Sequence, residues 1–399
     1  VSRAPTLVPN RGARTAGALI AGVLGCLALS ASAQDPVPPS ADPSPARSEA
    51  WQVGGCALCH VVPGQPTAAR EDSCADCHAW IRKVAASPDA RTRAMEIFPL
   101  WERYEKNVAT YLPVPSLAAA MARLEPAWVD RYLQDPHDLR PGLPEGMPRF
   151  ALTAEQRGEI VAAFAKAKAA VPATPAPDPT RVDAGRALFD KKGCAMCHSL
   201  GSAWTDAGIP LAPDLAVTRQ RMSPDMVAAW IRDPRALSTD TVMPTFPLTD
   251  EEVLALRDYV LLSPIEAAVP VAAQLPPPTT SPVTWADVEA EVFGKICVHC
   301  HMDPDQNQGR RGPGNAGGFG WPASGIELQT YEGVVAVADR IPDALLRRRQ
   351  EAVRDHVAPG ELPQAIERPE LPGMPLGLPP IDDEGTAMVL GWIAQGMPR

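Results

Sequence analysis

Aromatic side chains are scarce in this chain of 399 residues: Phe, Trp and Tyr make up 5% of it, although 45% of the residues are apolar. Aromatic rings dominate the energetics of ordinary cores. A chain that builds several cores with so few rings needs another source of flat apolar bulk. Excess positive charge is also lacking. Lys and Arg number 37 against 47 Asp and Glu, a net charge of −10, which argues against nucleic acid or an anionic lipid surface as the main partner. The apolar run at 16–30 is 15 residues long, short of the ~20 that a membrane-spanning helix needs. The glycine-rich stretch 309–320 (GRRGPGNAGGFG) lacks the spacing of a phosphate-binding loop and reads as a flexible insertion.

Proline and cysteine are present in informative places. The 46 prolines are more than twice the usual share of about 5%. They concentrate at 35–46 (DPVPPSADPSPA), 171–180 (VPATPAPDPT) and 264–283 (SPIEAAVPVAAQLPPPTTSP), which read as extended, semi-rigid spacers. Eight of the nine cysteines fall in four C-x-x-C-H motifs: Cys56/Cys59/His60, Cys74/Cys77/His78, Cys194/Cys197/His198 and Cys297/Cys300/His301. Random placement of so few Cys and His does not produce four such motifs, and the pattern reads as c-type haem attachment. Two cysteines hold the porphyrin as thioethers, and the adjacent histidine is directed at the iron. A closed zinc site needs four ligands from paired clusters at set spacings, which four separate motifs do not provide.

The N-terminus has the order of an export signal: Arg3, Arg11 and Arg14 with no acid, then AGALIAGVLGCLALS, then Ala31-Ser32-Ala33. Residues 1–33 are therefore expected to be a signal peptide, with a Pro-rich linker at 34–47. The ninth cysteine, Cys26, has two readings. It is a small residue within a cleaved leader, or a lipidated anchor, since Val23-Leu24-Gly25-Cys26 loosely resembles a lipobox.

The rest divides into 48–170, 181–263 and 284–399, with linkers at 171–180 and 264–283. The expected fold class is mainly α: three helical modules in tandem, joined by Pro-rich linkers. Each module carries a Met-Pro loop ahead of a C-terminal helix: Met147-Pro148, Met243-Pro244 and Met374-Pro375. Thr153…Gln156 and Thr249…Glu252 are capping boxes that start two of those helices, and Asp382 is a candidate cap for the third. Gly185 and Phe189 lie one helical turn apart ahead of Cys194, where a glycine lets two helices approach closely. The Met397-Pro398 pair follows the last helix and reads as a tail.

Residues 181–263 resemble a class I (mitochondrial-type) cytochrome c: a G-x-x-x-F helix, C-x-x-C-H, a DP-…-MP-x-F loop and a last helix with Tyr259 near its end. The flanking modules keep both ends of the pattern, so the chain resembles a multihaem c-type cytochrome built from cytochrome c modules. The resemblance implies four covalently bound haem c groups, attached outside the cytoplasm through Cys56, Cys59, Cys74, Cys77, Cys194, Cys197, Cys297 and Cys300. His60, His78, His198 and His301 are the implied proximal ligands, and Met147, Met243 and Met374 the implied distal ones.

Only 13 residues separate His60 from Cys74, so two porphyrins must share the first module and lie close together. Sequence distance pairs Met147 with His78. That leaves Met95, Met121, His137 or no side chain for the haem at His60. His137 reads as a solvated loop residue, His299 as surface-exposed and His356 as a helix-face residue. Arg347-Arg348-Arg349 reads as a solvated face or a propionate partner.

The implied function is single-electron transfer, with no catalytic residue. An exported tetrahaem carrier would link a quinol-oxidising complex or periplasmic dehydrogenase to a terminal acceptor, docking partners with a basic surface. Two alternatives remain. One is a haem enzyme with an open site at His60 acting on a peroxide or on a sulfur or nitrogen oxyanion. The other is a fixed subunit of a respiratory or photosynthetic complex. Periplasmic localisation follows from the leader, with a membrane anchor if Cys26 is lipidated.

Overall fold

The computed structural model describes residues 49–66, 73–98, 101–102, 105, 114–137, 139, 146–201, 212–239, 241–265, 272–302, 313–355 and 370–399. The expected leader with Cys26, the expected linker at 34–47 and His356 lie outside them. The described residues are mainly helical and contain no strand. None of their helices is long and apolar enough to cross a membrane.

Residues 181–263 show how sequence becomes fold. Val182–Lys191 and Asp250–Leu262 are helices that cross at Gly185, where an added Cβ would lie 2.1 Å from the Ala255 carbonyl oxygen and 2.6 Å from Tyr259 Cβ. Only glycine permits that approach. Phe189 and Tyr259 meet beside the crossing with ring centroids 5.2 Å apart. Thr249 and Glu252 form the expected capping box, and Ser223 with Pro224 starts the Pro224–Arg232 helix.

The first part packs Glu49–Val53, Leu117–Arg123, Pro126–Gln134 and Ala154–Ala167 around Trp51, Trp128, Ile160 and Phe164. The capping box at Thr153 and Gln156 is present. The last part closes Asp383–Ala394 over Val292, Phe293 and Trp285. Asp382 accepts from the Gly385 amide at its start, and Trp392 is fully buried.

The proline-rich stretch at 171–180, and the one at 264–283 where it is described, are extended and docked. Asp225 accepts from both the amide and hydroxyl of Thr174, and Arg257 donates to Thr174 and to the Pro175 carbonyl. Arg257 and Asp258 are both fully buried, and Asp258 also binds Arg181 at 2.6 Å. The Thr279 amide donates to Ala387 O, and an added Cβ on Gly391 would lie 2.5 Å from Thr279 Cγ2.

The glycine-rich segment, expected to be flexible, is also docked where it is described. Gly320 N donates to Val53 O at 3.0 Å, Ala151 N to Phe319 O at 2.9 Å, and Trp321 Nε1 to Arg149 O at 2.9 Å. Close backbone contact explains the glycines, since an added Cβ on Gly320 would lie 2.6 Å from Ala151 O. The first part also meets the second, through Glu125 N to Arg221 O and Asp214 N to Leu139 O. Contacts group Pro45–Arg399 into one compact unit.

The arginine run has a structural use of its own. Arg348 is 6% exposed and donates to Leu378 O; Arg349 binds Asp383, Ile381 O and Thr386. These bonds pin the loop that carries Met374 to the Ile341–Asp355 helix, so the run is not a solvated face. The Met397-Pro398 tail is pinned as well: Trp392 Nε1 donates to Pro398 O and Tyr331 to Met397 O.

Candidate functional site

Three of the motifs adopt the same local form. Cys56–Leu58, Cys194–Met196 and Cys297–His299 are 3-10 turns, each closed by the following Cys and His amides donating back to the first cysteine's carbonyl. Gly55 (φ 62°) and Gly193 (φ 74°) supply the left-handed residue before the first two of these turns. The motif at Cys74 differs. It occupies the first turns of a regular helix, Cys74–Ala85, capped by the Ser73 side chain. Trp80 of that helix packs edge-on against Phe98 and Trp101.

The motif histidines at the three turns are held alike. Nδ1 of His60 lies 2.8 Å from Pro115 O, that of His198 2.8 Å from Pro213 O, and that of His301 3.0 Å from Ile326 O. A carbonyl can only accept, so Nδ1 carries the proton and Nε2 keeps its lone pair. This is the outer bond that orients a ligating histidine and raises its basicity. Burial pushes all three imidazoles below their ordinary value, which keeps them neutral near pH 7. Gly314 packs on His301, where an added Cβ would lie 2.7 Å from Cε1 and Nε2.

In the second part, Phe189, Cys194, His198, Met243, Phe246 and Leu256 are among the residues lining one apolar cleft. Met243 is held there by its amide, which donates to Thr241 Oγ1, and by Trp230 Nε1, 3.0 Å from its sulfur. The Cys194 thiol, a neutral imidazole and a thioether around an apolar cleft, with Cys197 on the same turn, fit a covalently attached haem. Residues 182–263 match the cytochrome c family. That domain implies covalently bound haem c and electron transfer. Cytochrome c oxidase subunit 2 of Alkalihalophilus pseudofirmus is 30% identical over 89 residues, which are 21% of this chain and 26% of the relative. The chain thus spans about a quarter of that relative's length. No solved structure matches the chain.

Outside the cytochrome c domain, three motifs converge. The thiols of Cys59 and Cys74 share a hydrogen bond, which raises Cys59 and holds Cys74 down to about 7. Cys300 is in electrostatic reach of Cys74, and His299 of His78. Burial, then the charge of His299, holds His78 down to about 4. The motif at Cys74 therefore has the motifs at Cys56 and Cys297 as neighbours.

The other candidates fall in distinct places. Met147 packs into the core cluster that includes Cys56 and Ala57, and Met121, 7% exposed, belongs to the same cluster. Met95 is 40% exposed on the Pro88–Ile97 helix. The Met374 amide donates to Ala344 O at 3.0 Å.

Two histidines differ from their expected settings. His137 packs edge-on against Trp128 and Tyr132, with Nδ1 3.2 Å from Asp135 O, rather than lying solvated. His299 is partly covered rather than surface-exposed, and burial pushes it below its ordinary value. The histidine-holding carbonyls had no signal in the sequence, because they lie 55, 15 and 25 residues after their partners.

Proposed function

We propose that the protein is an exported tetrahaem cytochrome that carries single electrons between redox proteins. The observation that carries this reading is the histidine-to-carbonyl bond at His60, His198 and His301. Such a bond prepares an imidazole for iron, and it occurs in all three parts of the chain although the family match covers only 182–263. Haem bound at these sites supplies reversible one-electron iron chemistry.

The protein's own groups anchor and tune that chemistry. Cys56 and Cys59, Cys74 and Cys77, Cys194 and Cys197, and Cys297 and Cys300 form the thioether bonds. His60, His78, His198 and His301 are the proximal ligands. Met243 is the distal ligand for the His198 site, steadied by Trp230, and Met374 serves the His301 site. Met147 is assigned to the His60 site, in place of the pairing with His78 that sequence distance gave, because it packs against the same core cluster as Cys56 and Ala57. With Met147 there, an open position at His60 has little support, and electron transfer is favoured over catalysis on a small molecule.

The leader supports a periplasmic location. The acidic balance supports redox partners that dock through a basic surface.

Intact-mass analysis of the exported protein tests the central claim. Four covalently bound haems are expected, and a mass corresponding to one haem overturns the tetrahaem reading. The likeness to a protein named cytochrome c oxidase subunit 2 favours a second reading, a fixed subunit of a membrane respiratory complex. Stable co-purification with membrane subunits supports that one, whereas recovery as a free protein supports the carrier.

A further inference from the structure

We propose that Glu351 is a positioning residue shared by two irons. Its buried carboxylate holds both the loop that carries Met147 and the loop that carries Met374, so distal ligation at the His60 and His301 sites depends on one side chain. This rests on the reading that those two methionines are the distal ligands there.

The two Met-Pro loops belong to different parts of the chain, yet they touch. Gly146 N donates to Gly377 O at 3.2 Å, and Arg149 Nη2 to Glu370 O at 3.1 Å. Gly377 has φ 70°, and an added Cβ there would lie 3.1 Å from Cβ of Pro148, the residue after Met147. The Trp321 indole adds another hold from the last part, donating to Arg149 O at 2.9 Å.

Glu351 stands at this junction, buried on the Ile341–Asp355 helix. Its Oε1 lies 3.5 Å from Nη1 of Arg149, two residues after Met147. The same oxygen accepts from the amide of Gly373, directly before Met374, at 3.2 Å. Arg348, one turn back, lies 3.9 Å from Oε2 and donates to Leu378 O. Glu351 and Arg348 thus hold the last loop on either side of Met374. Gly373 makes this possible: an added Cβ would lie 2.0 Å from Arg348 N, so the loop rests on the helix backbone itself. A buried carboxylate needs such partners, and it finds them on both loops at once.

The cytochrome c domain supplies the contrast. Met243 is held by Thr241 and Trp230, both of its own part. In the first and last parts the holder is common to both. A thioether is a neutral ligand carried on a loop, and it stays on iron only as firmly as that loop is fixed. Loss of an outer partner that fixes a ligand typically costs about 10–100-fold in metal affinity. Removing the Glu351 carboxylate should therefore loosen two iron–sulfur bonds and leave the third alone.

Near-infrared magnetic circular dichroism of the ferric, full-length, haem-loaded protein tests the assignment through the charge-transfer bands that report iron–thioether bonds. The parent should show three such centres. Met147→Ala and Met374→Ala should each remove one and so identify its bands. If either leaves all three in place, the reading beneath the proposal fails, which separates the two failures. Glu351→Ala should weaken the Met147 and Met374 centres together, and added imidazole should displace both thioethers at about tenfold lower concentration or less. Arg149→Ala should affect the Met147 centre alone. Glu351→Gln keeps the volume and an oxygen for Gly373 but loses the charge, so it should weaken the Met147 centre and spare the Met374 one. That variant guards against a merely misfolded alanine protein. The proposal is overturned if Glu351→Ala leaves either centre as in the parent, or disturbs the Met243 centre as much as the other two. It is equally overturned if Glu351→Gln leaves the Met147 centre unchanged.

Discussion

Gly185 illustrates how much one missing side chain can decide. An added Cβ would meet the Ala255 carbonyl at 2.1 Å, a backbone atom that cannot rotate away as the end of a flexible side chain could. Gly185→Ala should therefore force the Val182–Lys191 and Asp250–Leu262 helices apart, destabilising the domain by about 1–3 kcal/mol or more. Chemical denaturation of the haem-loaded protein should show a lowered midpoint, and an unchanged midpoint would contradict the crossing. This residue was legible in the sequence, because glycine one turn before an aromatic has a local meaning. His299 and His137 were not. His299, between the cysteines of its own motif, and His137, in a loop, were both read as solvent-facing, whereas His299 is partly covered in the fold and the rings of Trp128 and Tyr132 cover His137. Local chemistry cannot report such coverage. The same limit hid Pro115, Pro213 and Ile326, which act through backbone carbonyls that any residue could supply.

Among the elements, helix starts were read well and the connections poorly. The capping boxes at Thr153 and Thr249 depend on residues three apart and form as the spacing predicts. Proline-rich and glycine-rich composition signals local conformational preference but not what a stretch docks against. The 171–180 strap shows what such docking requires: its polar groups find Asp225, Arg257 and Asp258. Hydrogen bonds from the Thr174 side chain and amide hold the Asp225 carboxyl below its usual value. Its folded value is depressed, so its contribution to stability is present above the unfolded value of about 3.9 and is lost as pH falls through the folded value. The difference in urea midpoint between the parent and Asp225→Ala should be full above about pH 4 and shrink below it. A difference that grows on acidification would exclude this role for the carboxylate.

At the scale of the whole molecule, charge makes the remaining prediction. The chain carries −10, and the only charges in residues 1–33 are Arg3, Arg11 and Arg14, so residues 34–399 carry 34 − 47 = −13. Propionates on bound haem add to that sign. A surface of one sign attracts oppositely charged partners over roughly a Debye length, about 10 Å at 0.1 M salt, and accelerates their encounter by about tenfold or more at low salt. Local positive charge near the sites does not reverse the expectation. Lys192 lines the cleft of the cytochrome c domain but lies 3.8 Å from Glu252, and Arg348 and Arg349 are engaged in holding the Met374 loop. Stopped-flow oxidation of the reduced protein by a cationic and an anionic small-molecule oxidant should separate the two signs. With rising ionic strength the cationic reagent should slow and the anionic one should quicken, because salt removes attraction in the first case and repulsion in the second. The opposite pair of slopes would show that electrons leave through a locally basic face, and a basic partner surface would then be the wrong one to look for.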